Sequence, residues 1–128
     1  MEITPNVALS VNSSSDPLND YLSSLKRSMG LKTKLVLPAH GPLFEDAPAR
    51  AREIYEHHQS RKAALLALTE SQGLSAYQLS LRLFTEELNT LERWFALGET
   101  LAHLENLCNE WLVKKRESQG VVLYQRVL

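Results

Sequence analysis

Four helix-start signals divide this sequence and predict a mostly helical fold. Asp16 stands before Pro17 and Asp46 stands shortly before Pro48. An aspartate at the N-cap followed by a proline in the first turn is a strong start signal for a helix. Ser75 predicts a third start, and Asn89 or Thr90 predicts a fourth. The apolar periodicity after each signal predicts helices over residues 17–29, from Asp46 to about 69, over 76–84, and over 90–109.

Each long predicted helix has one apolar face, which we expect to form the core. On the first helix this face consists of Leu18, Tyr21, Leu22, Leu25 and Met29. On the second helix it consists of Ala51, Ile54, Tyr55, His58, Leu65 and Leu68. On the last helix it consists of Leu91, Phe95, Leu101, Leu104 and Leu107.

Three short apolar runs predict strands. Residues 34–37 form one, which ends at Pro38 and precedes the loop 39–42. The runs 111–113 and 121–124 are β-prone and predict a C-terminal hairpin, with residues 114–120 as its tip. Three helices followed by a hairpin is the order of a winged helix-turn-helix domain, which we predict for residues 47–128. Residues 1–46 hold four of the five prolines and form a separate region.

Composition excludes several classes of protein. With 14 basic and 15 acidic residues the formal charge is −1, which argues against a general binder of nucleic acid or anionic membranes. The single cysteine, Cys108, excludes an intramolecular disulfide and a cysteine-based zinc cage. Residues 1–4 lack the features of a signal peptide, and no run of eighteen apolar residues occurs, so we expect a cytoplasmic protein.

Four motifs carry a resemblance to a known family. In chain order they are Asp16-Pro17-Leu18-x-Asp20-Tyr21-Leu22-x-Ser24-Leu25, Val36-Leu37-Pro38-Ala39-His40-Gly41-Pro42, Glu56-His57-His58-x-x-Arg61-Lys62 and Ala102-His103-Leu104-x-x-Leu107. With these motifs the sequence resembles the C-terminal part of metallo-β-lactamase-fold hydrolases, in the β-lactamase-like protein 2 branch, which carries a winged-helix appendage.

The resemblance implies a helix-strand-loop remnant of the αββα hydrolase domain over residues 1–46 and the winged-helix domain over 47–128. It implies metal-dependent hydrolysis of an ester, thioester, lactam or RNA phosphodiester by an intact parent that uses zinc. Of the metal ligands of that family only the last histidine has a counterpart, His40. We therefore expect a C-terminal fragment that lacks the N-terminal metallo-β-lactamase domain as its partner, is itself inactive and holds no zinc, because a catalytic zinc needs about three protein ligands.

No other set of residues predicts a catalytic or metal site. His57 and His58 are adjacent on a helix and should point about 100° apart, too far to bind one ion together. A Glu53–His57 metal pair is conceivable, but a solvent-facing pair beside a half-buried His58 is favoured. His103 is expected at the edge of the core, and Cys108 is expected to be a packed apolar residue with no adjacent base.

Charge and aromatic residues leave two alternative functions open. The last helix carries Glu92, Glu99 and Glu105 against Arg93 alone, which predicts no specific binding of duplex DNA. The predicted hairpin tip carries Lys114, Lys115 and Arg116, which could make weak contacts with single-stranded RNA. Alternatively the chain is a stand-alone interaction module or homodimer, with a surface formed by Trp94, Phe95 and Trp111. We also expect the apolar face of the first helix, or the strand 34–37, to pack on the helices that follow or on a second copy.

Overall fold

A computed structural model describes residues 5–127, which form four α-helices and a small antiparallel sheet. The elements are α1 (Pro17–Ser28), α2 (Ala47–Leu68), β1 (Leu74–Ser75), α3 (Ala76–Leu83), α4 (Thr90–Asn109), β2 (Val113–Ser118) and β3 (Val121–Arg126). The predicted mostly helical class is confirmed. The expectation that the chain lacks a signal peptide rests on residues 1–4, which lie outside the described residues. None of the helices between residues 5 and 127 is long and apolar enough to cross a membrane.

All four helices begin at the residues that the sequence predicts. The carboxylates of Asp16 and Asp46 accept hydrogen bonds from the backbone N–H three residues further on, at 3.0 and 2.9 Å. Ser75 and Asn89 each form a capping box, in which the residue at the third helical position returns a hydrogen bond to the cap. Asn89 rather than Thr90 is therefore the cap of α4.

One core lies between α2, α3, α4 and the sheet. The strand order is β1-β3-β2, so β1, which precedes α3, pairs with the last strand. Leu74 of β1 stands opposite Tyr124 of β3, and β2 pairs with β3 along its whole length. The buried apolar residues of this core are Leu65, Leu74, Ala76, Leu79, Leu104, Leu107, Val113 and Tyr124.

A second core joins the N-terminal region to the helices that follow. Leu18, Leu22 and Leu25 of α1 are buried against Ala51 of α2 and Ala102 of α4. The predicted apolar face of the first helix therefore does pack on the later helices. Because this face is covered within the chain, α1 is an integral part of the folded unit.

Two polar contacts tie residues 5–16 to α4. The backbone N–H of Leu9 donates to the carbonyl oxygen of Gly98 at 3.1 Å, and a Cβ on Gly98 would lie only 3.0 Å from the Cβ of Ala8. Further along, the carboxylate of Asp16 accepts hydrogen bonds from the side-chain amides of Asn106 and Asn109, at 2.9–3.3 Å. The same aspartate thus caps α1 and holds it to the C-terminal half of α4.

The predicted strand over residues 34–37 is wrong. Only one bridge forms, between Val36 and Phe44, where the N–H of Val36 donates to the oxygen of Phe44 at 2.6 Å. Leu35 and Leu37 remain 54% and 75% exposed. A strand needs a neighbouring strand to complete its backbone hydrogen bonds, and none lies beside this run among residues 5–127.

The boundaries of the hairpin also differ from the prediction. Trp111 is 84% exposed and has a φ of 62°, so it precedes the strand as part of a turn. The strand β2 includes Lys114, Lys115 and Arg116, and the hairpin turns at Gln119 and Gly120, where φ is 52° and 77°. These three cations therefore lie along a strand and not at the hairpin tip. Pairing with the apolar strand β3 outweighs the weak β-propensity of the charged residues.

The predicted core face of α4 is partly wrong. Leu104 and Leu107 are buried, but Leu91 and Phe95 are 61% and 43% exposed. Burial along α4 begins only at Ala96, because the first turn and a half of the helix extends beyond the core.

Candidate functional site

His40 lies near the tip of a loop closed by the Val36–Phe44 bridge. The hydroxyl of Thr33 donates to the carbonyl oxygen of Glu45 at 3.0 Å, and thereby ties the start of this loop to its end. Gly41 has a φ of 94°, a conformation that a residue with a Cβ rarely adopts, and it lets the chain reverse directly after His40. The loop presents His40 to solvent at the side of an open cavity of about 700 Å³.

The cavity beside His40 has a mixed lining. Pro38, Pro42 and Phe44 contribute apolar surface, while Glu45 and Glu53 contribute carboxylates. The carboxylate of Asp46, which also lines the cavity, is engaged as the cap of α2. The zinc that the resemblance implies needs about three ligands, and within residues 5–127 no group of three potential ligands includes His40. This donor set therefore does not fit a catalytic zinc by itself.

The other histidines are arranged differently from the prediction. His58 and His103 are both completely buried between α2 and α4, and Nδ1 of His58 lies 3.2 Å from Nε2 of His103. The second nitrogen of His103, Nδ1, lies 2.7 Å from the carbonyl oxygen of Glu99. Tyr21 of α1 packs against the ring of His58 in an edge-on contact. The expectations of a half-buried His58 and of His103 at the core edge are wrong, because the two rings contact each other across the helix interface and are covered by α2 and α4.

Burial dominates the electrostatics of this pair. It lowers the pKa of both His58 and His103 to about 4, and the neighbouring Arg61 acts in the same direction. On the same side of α4, burial raises the pKa of Glu99, although the guanidinium of Arg61 at 3.3 Å opposes this. Both imidazoles are therefore neutral at pH 7.

The ring nitrogens of His57 and His58 lie closer together than the prediction from their adjacency assumed. A ring nitrogen of each lies within 4.8 Å of the other and of a carboxylate oxygen of Glu99. The angle between Cβ directions on a helix does not fix where the ring nitrogens lie, since two side-chain rotations follow. Sequence reasoning missed Glu99 because it treated the residue only as a charge, and the two histidines beside it lie on another helix, about 40 positions earlier in the chain.

Two of the three strand cations are already paired within the chain. The ammonium of Lys115 contacts both carboxylate oxygens of Glu105 at 3.0 Å, and Arg116 donates to the carbonyl oxygen of Gln72 at 2.7 Å. Glu105 also accepts a hydrogen bond from the hydroxyl of Tyr124 at 3.0 Å. This leaves Lys114 as the member of the predicted set with the most freedom to meet a ligand.

Cys108 lies in surroundings that make its thiol unreactive. Cys108 is half-buried against the first core, and burial together with the Glu105 carboxylate raises the pKa of its thiol to about 11. Such a thiol is a poor nucleophile.

Trp94 and Phe95 form a ring pair with centroids 5.3 Å apart beside an apolar cavity of about 260 Å³, whereas Trp111 lies at the other end of α4. The structure does not bring the three aromatics together into one surface.

Comparison with known proteins identifies the family. The family model described as "Metallo-beta-lactamase-like, C-terminal domain" matches residues 63–127. The chain is 40% identical over 55 residues to Lactamase-like protein adaB from Aspergillus niger, covering 43% of this chain and 17% of that protein. It is 23% identical over 100 residues to the Beta-lactamase-like protein 2 homolog from Caenorhabditis elegans, covering 77% of this chain and 34% of that protein.

Two solved structures match nearly the whole chain. A metallo-beta-lactamase family protein from Thermus thermophilus superposes with a TM-score of 0.84 and 37% identity, covering 98% of this chain and 38% of that one. A beta-lactamase domain protein from Burkholderia ambifaria superposes with a TM-score of 0.87 and 31% identity, covering 95% and 37%.

The matched residues and the shared fold define a C-terminal part of a metallo-β-lactamase-fold protein. The chain belongs to the metallo-β-lactamase-like C-terminal domain family. It spans between about a sixth and a third of the length of the curated relatives named above, and somewhat more than a third of the two solved structures.

Proposed function

We propose that this chain is the C-terminal part of a metal-dependent hydrolase, where it shapes the substrate site and does not itself hydrolyse substrate. The observation that carries the proposal is the His40 loop. It is closed by the Val36–Phe44 bridge and presents an exposed imidazole at the side of a cavity of about 700 Å³. A loop that is held at its base and offers a lone ligand suits a site that another domain completes.

Its partner in this proposal is an N-terminal metallo-β-lactamase domain. His40 would be one protein ligand of the metal, zinc by analogy with the family, and the remaining ligands would come from that domain. The substrate class, whether ester, thioester, lactam or RNA phosphodiester, depends on the pocket that both parts form. The Leu18–Leu25 face packs on α2 and α4, and the His40 loop is the segment of chain between α1 and α2.

We further propose that residues 47–128 form a winged-helix domain and that residues 1–46 are the remnant of the hydrolase domain. The order α2-β1-α3-α4-β2-β3, with β1 beside β3, supports the first proposal. The change from the loop-rich region before α2 to the helices after it supports the second. In this arrangement the two parts are docked through α1.

The test is a chimera in which this chain replaces the matching part of the Thermus relative, to which it is 37% identical. We expect the chimera to hydrolyse a substrate of that relative, while this chain alone gives no rate above background. His40→Ala in the chimera should lower the rate by more than about 100-fold, since even an outer-shell partner of a metal ligand is worth about 10–100-fold.

Leu43→Ala is the matched control, because Leu43 lies in the same loop and is 61% exposed. It should leave the rate of the chimera unchanged. A folded but inactive chimera, or hydrolysis by this chain alone that is lost on His40→Ala, would contradict the proposal.

A second candidate function is an interaction or dimerisation module. The observation that favours it is the exposed pair of Trp94 and Phe95, 65% and 43% exposed, next to an apolar cavity. With a second copy as partner, sedimentation of the chain should show a dimer that Trp94→Ala converts to monomer. A monomer at all concentrations would remove this candidate.

Contact with single-stranded RNA stays a proposal that rests on Lys114, since Lys115 and Arg116 have partners within the chain. Titration of a labelled single-stranded RNA should give weak binding that Lys114→Ala weakens further. Binding unaffected by this substitution would exclude the strand as the contact.

A further inference from the structure

Three potential ligand atoms converge between α2 and α4, away from the His40 loop. Ring nitrogens of His57 and His58 and a carboxylate oxygen of Glu99 all lie within 4.8 Å of one another. His58 and Glu99 are buried, whereas His57 is half-buried at the outer side of the cluster. The cluster is therefore enclosed on the inside and reachable from solvent past His57.

The hydrogen bonds around His58 determine which of its nitrogens has a free lone pair. The carbonyl oxygen of Glu99 can only accept, so Nδ1 of His103 carries a proton and donates to it at 2.7 Å. In a neutral ring this leaves Nε2 of His103 as an acceptor, and Nδ1 of His58, 3.2 Å away, must be the donor. It follows that Nε2 of His58 carries no proton and has an unshared lone pair.

This lone pair has no partner. Nε2 of His58 is buried, and no described residue donates a hydrogen bond to it. The residue as a whole has no exposed surface. A buried polar atom without a partner is costly and rare in native proteins. Glu99, with 8% of its surface exposed, likewise has its charge taken out of water. A cation held by this nitrogen and by a carboxylate oxygen of Glu99 would give the lone pair a partner, in addition to the contact that Glu99 already makes with Arg61.

We propose that His57, His58 and Glu99 form a second metal site, which binds a divalent first-row ion such as Zn²⁺. Two imidazoles and one carboxylate are a donor set that zinc uses, with water in the fourth position. His103 serves as the outer partner that holds His58 in the correct tautomer, as metal-bound histidines usually require. The site uses none of the residues of the His40 loop, and it departs from the expectation that this chain holds no metal.

The geometry requires a small closure. Ligands about 2.1 Å from a zinc ion at the tetrahedral angle stand about 3.4 Å apart, whereas the atoms of this cluster lie within 4.8 Å of one another, so each separation has to shorten by at most about 1.4 Å. The half-buried His57 has more room to rotate than the buried His58 and Glu99, so we assign the closing movement to the His57 side chain.

Arg61 is the competitor for Glu99. Its guanidinium donates to Oε2 of Glu99 at 3.3 Å and stacks over the ring of Phe84 at 4.5 Å. A monodentate ion pair of this kind leaves the second carboxylate oxygen for an ion, but the positive charge of Arg61 opposes a cation nearby. We therefore expect Arg61→Met to raise the affinity for Zn²⁺.

The experiment is a titration of the untagged full chain, freed of metal by a chelator, with Zn²⁺ against a competing indicator. We expect one Zn²⁺ per chain and a rise in the melting temperature when it binds. Co²⁺ as a probe should give the visible absorption of a tetrahedral site. His58→Gln and Glu99→Gln should abolish stoichiometric binding, and His103→Gln should weaken it by about 10–100-fold.

Two further variants separate this site from the His40 loop and from a folding defect. His57→Ala changes a half-buried residue, so it should keep the metal-free melting temperature while losing binding. His40→Ala is the matched control and should bind Zn²⁺ like the original chain. The chimera described above can fail to hydrolyse substrate without affecting this test, because the titration measures Zn²⁺ binding and not hydrolysis.

Two outcomes would overturn the proposal. The first is the absence of stoichiometric Zn²⁺ binding by the folded chain. The second is binding that persists in His57→Ala and His58→Gln but disappears in His40→Ala, which would assign the ion to the loop.

Discussion

Replacement of Asp16 by alanine should destabilise the chain far more than loss of an ordinary helix cap does. The carboxylate caps α1 through the N–H of Asn19 at 3.0 Å and also accepts from Asn106 and Asn109 of α4. Loss of an aspartate cap costs about 1 kcal/mol. Asn106, only 3% exposed, would in addition be left with a buried amide that has no partner. Hydrogen bonds to a charged group are each worth about 1.5–3 kcal/mol, and the half-exposed position of Asp16 puts them at the low end. With about 1 kcal/mol from the cap and about 1.5 kcal/mol from each asparagine contact, the total loss should be about 4 kcal/mol.

Asp46→Ala is the matched control for this prediction. Asp46 caps α2 at 2.9 Å and, like Asp16, is followed by a proline in the first turn, but it is exposed and its capping hydrogen bond stays within its own helix. Urea unfolding followed by far-ultraviolet circular dichroism should show a loss of about 1 kcal/mol for Asp46→Ala.

The difference between the two variants measures the contact between α1 and α4. A double-mutant cycle of Asp16→Ala with Asn109→Ala should give a coupling of about 0.5–1.5 kcal/mol. Equal losses for Asp16→Ala and Asp46→Ala, together with zero coupling, would show that α1 is not held to α4 by this carboxylate.

Three further predictions concern acid, thiol reactivity and DNA. In the presence of a chelator, stability should fall by about 5 kcal/mol as the pH drops from about 6.5 to 4, about 2.5 kcal/mol for each of His58 and His103. The unfolded chain protonates its histidines near pH 6.5, whereas these two have pKa values of about 4 in the fold. Urea midpoints at each pH measure this, and a flat profile would contradict it. Iodoacetamide at pH 8 should modify Cys108 about 100-fold more slowly in the folded chain than in urea, since its thiol pKa is about 11; equal rates by mass spectrometry would refute the burial argument. Duplex DNA of mixed sequence should bind no more tightly than about 10⁻⁴–10⁻⁶ M at physiological salt, and nanomolar binding lost on Lys114→Ala would reverse this.

The helices could be predicted from the sequence because their signals are local. Asp16, Asp46, Ser75 and Asn89 each act on backbone groups within three residues, so the four starts follow from a short window of sequence. The general position of the hairpin followed in the same way from the β-prone run that became β3.

The predictions that were wrong concern features that depend on residues far apart in the chain. The strand β2 forms from charged residues because β3 lies beside it. The run 34–37 makes only the single bridge to Phe44, because no strand among residues 5–127 lies beside it. The hydrogen bond between His58 and His103 joins residues 45 positions apart. No periodicity reports such a pair, and so the buried histidines and Glu99 were invisible as a group, whereas His40 was found through resemblance alone.

The close approach at Gly98 makes two distant positions share one volume. A glycine within a helix gives up about 1 kcal/mol relative to alanine, yet alanine at this position would place its Cβ 3.0 Å from the Cβ of Ala8. The extra methyl group would lift the segment around Leu9 from α4 and stretch the hydrogen bond from its N–H to the oxygen of Gly98. The residues at these two positions can therefore change only together, since a larger side chain at position 98 requires a smaller one at position 8. A substitution of Gly98 chosen only to strengthen the helix, without knowledge of the fold, would be the wrong choice.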